Sequence, residues 1–135
     1  MSVKFNIVER GNPSNREAPK KFYPSILSSG RVTTRELAEM AAQRSTMSSI
    51  DMMAAIESFL AIIPEQLAKG NIVELGAFGN FWLKTTSEGA ETAEEVRASQ
   101  ITSILPRFIS GKQVKHALDG IEFVRGVVTN NNNED

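Results

Sequence analysis

Cysteine is absent from this chain of 135 residues. That excludes disulfides and thiolate metal sites, and it fits a reducing compartment. Histidine occurs once, at His116. A general base needs a nucleophile or an orienting carboxylate beside it, and a metal site needs further ligands. Asp119, three residues on, suits a surface hydrogen bond and no more. Glu91, Glu94 and Glu95 read as a solvated turn, not as an acid/base pair. Phosphate-loop signatures are missing as well, because neither G-x-G-x-x-G nor G-K-[ST] follows "GAFG" at 76–79. No enzyme activity, small-molecule substrate, cofactor or metal is therefore expected. No run of about 18 apolar residues exists, so no membrane partner is expected either. The stretch "MSVKFNIVERG" lacks an apolar segment after its basic residue, so a secretory leader is not expected and the cytoplasm is.

What is present is enough apolar sequence for a packed core. Apolar residues make up 41% of the chain, and the length suits one domain with an appended segment. Net charge is −1, which argues against a strongly basic nucleic-acid binder. The charge is unevenly spread. Lys4, Arg10, Arg16, Lys20, Lys21 and Arg31 against Glu9 and Glu17 leave residues 1–31 at +4. Residues 32–83 carry −3, 84–106 carry −2, and 107–126 carry +2. Basic charge sits toward both ends and the middle is acidic.

Val3, Phe5 and Ile7 recur at period two, a half-buried strand. "GNPSN" breaks it as a turn, and the prolines of "REAPKKFYP" keep that basic stretch extended. Thr33 with Glu36 is a T-x-x-E capping box, and Leu37, Met40 and Ala41 then share a helix face. Ser48, with Asp51 three residues on, opens a second helix, with Ile56, Phe59, Leu60, Ile63 and Leu67 on one stripe. It should run about 30 Å, to Lys69, and stop at Gly70. Met52, Met53, Ala55 and Ile62 flank the stripe, so a sheet or a second subunit must cover it. Pro64 should kink it.

Three strand-like runs follow: "NIVEL", "GNFWLKTT" and "SQITSILP". Thr92 with Glu95 marks a possible helical turn between the last two. "GKQVKHAL" then reads as a short helix. The order is α+β: two helices on one face of a three-stranded antiparallel sheet, then a short C-terminal helix. Domain bounds are expected at 1–30 for an extension with a strand, 31–126 for the main domain, and 127–135 for a disordered polar tail. "GAFGNF" at the strand junction is structural: glycine tolerates φ > 0, and Phe78 and Phe81 each bury well over 100 Å².

"KGNIVELGAFGNFWLK" and "PRFISGKQVKHAL", in this order after two helices, resemble the strand–"GFGTF"–strand and "PxFxPGKxLKxxV" signatures of the bacterial HU/IHF family of nucleoid DNA-binding proteins. The resemblance runs from about Thr33 to Leu118. The extension is similar to that of a divergent HU-like branch. The resemblance implies an intertwined homodimer, with Ile56, Phe59, Leu60, Ile63, Phe78 and Phe81 in a shared core, localised to the nucleoid. It also implies two β-ribbon arms, rich in Arg and Lys and tipped by a proline wedge, that embrace double-stranded DNA.

Here the arm, Lys84 to Leu105, is shorter and acidic, and no proline precedes Pro106. Little bending is expected. Arg107, Lys112 and Lys115 match the family's basic closing element, although Ser110 stands where it has proline, and the N–H groups opening that helix also favour an anion. Arg107, Lys112 and Lys115 are the leading phosphate contacts. Lys84, Arg97, Lys20 and Lys21 are secondary ones. Phe22 and Tyr23 either anchor the extension or stack on a base. Trp82 faces away from Phe81, toward either the extension or DNA. The alternative function is a protein-interaction or self-assembly module on the same scaffold, motivated by the acidic arm and a pI of 5.9.

Overall fold

The period-two start of the chain forms strand β1, Ser2–Arg10, and the proline-flanked stretch forms strand β2, Lys21–Ile26. They pair antiparallel in the computed structural model, which describes residues 1–126, with Phe5 opposite Ile26 and Arg10 opposite Lys21. Pro24 sits inside β2. That is tolerated because β2 is an edge strand, where a missing N–H interrupts no second ladder. The turn between the strands is tied by asparagines. Asn12 Oδ1 accepts from the Ser14 N–H at 2.9 Å, and Asn15 Oδ1 from the Glu17 N–H at 3.1 Å.

Helix α1, Thr34–Gln43, and helix α2, Ser49–Ala68, start at the expected caps. The Glu36 N–H donates to Thr33 Oγ1 at 3.2 Å, and the Thr33 N–H donates to Glu36 Oε2 at 2.8 Å, closing the capping box. The Asp51 N–H donates to Ser48 Oγ at 3.1 Å. At the other end Gly70, with φ +83°, lets its own N–H reach the Leu67 carbonyl and the Asn71 N–H reach that of Gln66, a Schellman pair. Pro64 removes one donor, yet α2 continues past it to Ala68.

Strands β3, Val73–Glu74, β4, Gly79–Ser87, and β5, Ile101–Ser110, form an antiparallel sheet in that order. Helix α3, Lys112–Leu118, follows. Helices α1 and α2 pack together, and α2 lies against β3 and β4. This unit, Thr33–Leu118, is α+β as expected. The other compact unit joins Met1–Val32 to residues 119–126. Its third strand, β6, Glu122–Arg125, pairs parallel to β1, with Val3 beside Phe123. The sequence reading had placed residues 119–126 with the main domain, because a parallel partner more than a hundred residues away leaves no local signal. The expected tail, 127–135, lies outside the described residues.

Little of the apolar surface is withdrawn from water within one chain. Among the described residues only Ala38 and Leu67 are buried hydrophobics. Of the expected shared core, Ile56, Ile63 and Phe81 are half-buried. Phe59, Leu60 and Phe78 remain 62%, 54% and 45% exposed.

The "GAFGNF" junction is a 3₁₀ turn over Gly76–Phe78 leading into β4. Gly79 has φ +148°, and a Cβ there would strike the Ile109 carbonyl and, at 2.6 Å, the Phe108 ring. That ring lies 5.5 Å from Phe78 and 4.8 Å from Phe81, centroid to centroid. Gly79→Ala should therefore cost about 1–3 kcal/mol from backbone strain alone, before the clash is counted. Chemical denaturation will read this as a lower midpoint; an unchanged midpoint would mean that the junction is not tightly packed.

Candidate nucleic-acid interface

The β4–β5 hairpin sorts its residues by alternation. Phe81 lies opposite Phe108 and Leu83 opposite Pro106, so one face is apolar. The other carries Trp82 opposite Arg107 and Lys84 opposite Leu105. Alternation thus brings Lys84, Arg107 and Trp82 onto one face, with both cations exposed. Trp82 does face away from Phe81, as the pattern predicted.

Directly after β5 the chain enters α3, and a glycine makes that approach possible. The Gly111 N–H donates to the Phe78 carbonyl at 2.8 Å, and a Cβ on Gly111 would collide with the Ala77 carbonyl. The backbone of the "GK" element is thereby pressed onto the "GAFG" turn. Lys112 and Lys115, three apart on α3, project from one side of a helix anchored by the residue just before it. Both are exposed. The helix spans only seven residues, so its summed dipole is small.

The far end of the hairpin differs from a plain ribbon. Pairing ends at Ser87 opposite Ile101, with an irregular register between Thr86 and Ser87. Beyond it lie two 3₁₀ turns, Ala93–Glu95 and Ala98–Gln100. The expected turn at Thr92 is present, but without a side-chain cap. Arg97 is occupied there: its Nη1 donates to the Glu94 carbonyl at 2.7 Å and to the Val96 carbonyl at 3.2 Å. Its own N–H donates to Gln100 Oε1, and the Glu88 N–H reaches the Gln100 carbonyl at 3.0 Å. Four glutamates, at 88, 91, 94 and 95, share this tip with that single arginine.

Lys20 and Lys21 belong to the other unit, at the close of the β1–β2 turn. Phe108 escaped the sequence reading as a core residue. Its place opposite Phe81 follows from strand register, which periodicity within β5 does not reveal.

A family model described as an HU domain fused to a wHTH, Ig or glycine-rich motif matches residues 1–125. DNA-binding protein HU-alpha of Escherichia coli is 32% identical over 87 residues, covering 62% of this chain and 94% of that protein. DNA-binding protein HU-1 of Halalkalibacterium halodurans shows the same identity and coverage. Among solved structures, a protein from Bacteroides vulgatus superposes with a TM-score of 0.61 at 14% identity. It matches 92% of this chain, which spans about half of that longer protein (47%). HU in the Anabaena HU–DNA cocrystal gives a TM-score of 0.53 at 18% identity, over 66% of this chain and 99% of that one.

Arg97→Ala should free the Glu94 and Val96 carbonyls and loosen residues 88–100. Hydrogen exchange at the Glu88 and Gln100 amides is expected to quicken, with little change elsewhere. Unchanged exchange would show that Arg97 does not brace the tip.

Proposed function

This chain belongs to the bacterial HU-like DNA-binding family, in the branch where an HU domain is fused to a further motif, and we propose that it binds double-stranded DNA without catalysis and without strong sequence preference. The observation that carries this reading is the clustering of exposed cations: Arg107 and Lys84 on one hairpin face, and Lys112 and Lys115 on the helix that Gly111 seats. Cations so placed neutralise backbone phosphates, which every sequence presents alike. Lys20 and Lys21 add secondary contacts. Arg97 contributes less, since its guanidinium is turned toward its own loop carbonyls.

Little bending accompanies this binding. The hairpin tip carries four glutamates and lacks the proline that would wedge between base pairs. A working unit of two copies is supported by the exposed stripe of α2. Phe59, Leu60 and Ile62 are each at least half exposed in one chain, and covering what is left of each would contribute on the order of 1 kcal/mol. The family resemblance supports a location in the nucleoid, and so in the cytoplasm.

Fluorescence anisotropy with a labelled duplex of about 30 base pairs, titrated at several salt concentrations, tests the reading. Binding should weaken as salt rises, and Lys112→Glu should weaken it for all sequences while flattening the salt slope by about one unit. Absence of binding at about 20 mM salt would remove DNA as the partner and leave protein–protein work for the scaffold.

The dimer has its own test. Phe59→Glu on a free surface would change stability by less than about 0.5 kcal/mol. We expect instead a halved mass by light scattering and a lowered melting temperature; a variant that keeps both would exclude α2 from the interface.

A further inference from the structure

Across the β1–β2 ladder, Arg10 lies directly opposite Lys21. Like charges at opposed positions of an antiparallel pair repel each other. Neither is relieved from within the chain: Arg10, Arg16, Lys20 and Lys21 form no ion pair among the described residues. Arg10 and Lys21 line an open cleft of about 380 Å³, together with Asn12 and Tyr23. Arg16 and Lys20 line an adjoining hollow of about 290 Å³. Tyr23 follows Lys21 at i+2, so it stands on the same face of β2 and is 44% exposed.

The backbone that carries these cations is held in place. Besides the two asparagine side-chain bonds, the Asn15 N–H donates to the Asn12 carbonyl and the Ala18 N–H to the Asn15 carbonyl, both at 3.2 Å. The cost of bringing four positive charges together is thus met in the fold itself, and an incoming anion finds them already gathered.

We infer that this turn is a second contact for duplex DNA: Arg10, Arg16, Lys20 and Lys21 take consecutive backbone phosphates in the two hollows, with Tyr23 beside them. Two hollows side by side suit a chain of phosphodiesters more than a bare anion. The inference rests on and deepens the DNA-binding reading above, and gives the N-terminal unit a contact surface of its own. It also makes the cross-strand repulsion useful, since one phosphate between Arg10 and Lys21 attracts both.

Lys21→Glu separates binding from folding. It converts the opposed pair into one of opposite charge, so the sheet should melt no earlier than in the unaltered chain. The same change should weaken duplex binding and make the salt slope shallower by about one unit or more. A variant that binds DNA with an unaltered slope overturns the inference.

Amide nuclear magnetic resonance of the full chain, titrated with a duplex of about 15 base pairs and in parallel with inorganic phosphate, distinguishes the two surfaces. Duplex-induced shifts over residues 10–23 support the second contact, whether or not residues 107–115 also move. Shifts confined to 107–115 overturn it while leaving the HU surface intact. Shifts over 10–23 with phosphate but not with duplex overturn it in favour of a small-anion site. No shift at either surface would defeat both readings.

Discussion

The apolar girth of α2 sets the terms for the HU unit. A helix of twenty residues with phenylalanine, leucine, isoleucine and methionine on more than one side needs cover on more than one side. Within a single chain its main contacts among the described residues are with α1, β3 and β4. Large side chains such as Phe59 and Leu60 are left facing water. The proposed second copy resolves this imbalance, and it makes stability inseparable from protein concentration, since an isolated chain has almost no interior. The flat, cation-bearing faces of the β4–β5 hairpin and α3 would then exist only as part of a pair.

Two glycines convert that hydrophobic scheme into a placed surface. Gly79 lets β4 pass close enough to β5 for Phe108 to sit among Phe78 and Phe81. Gly111 lets the chain leaving β5 press against the carbonyls of the same turn. The "GAFG" and "GK" motifs, far apart in sequence, are thus two sides of one contact. The lysines inherit their position from two glycines held by backbone contacts, so this surface depends on backbone fit more than on side-chain partners.

Much of this was legible in the residues because its causes are local. The Thr33–Glu36 box, the Ser48 cap and Gly70 each act within a few positions, and each is found where the pattern put it. Alternation likewise put Trp82 and Phe81 on opposite faces. What escaped depends on distant pairing. Phe108 becomes a core ring only through its register with Phe81, and β6 becomes a strand only beside β1. The role of Arg97 was hidden for a related reason: an arginine in an acidic loop looks like a ligand contact until carbonyls within hydrogen-bond reach claim it. The opposed cations at Arg10 and Lys21 also needed the ladder register to be seen.

The parallel pairing of β6 with β1 has a consequence in time. Parallel strands require a crossover, and here the connection contains an entire HU unit. During synthesis β1 and β2 leave the ribosome first, but their third strand arrives only after Leu118. The HU unit is one continuous segment, Thr33–Leu118, so its full sequence is available earlier. The N-terminal sheet must wait with one side of β1 unpaired, an open edge of the kind that recruits stray strands. Closure of that edge by residues 122–125 therefore marks a chain translated past the HU unit.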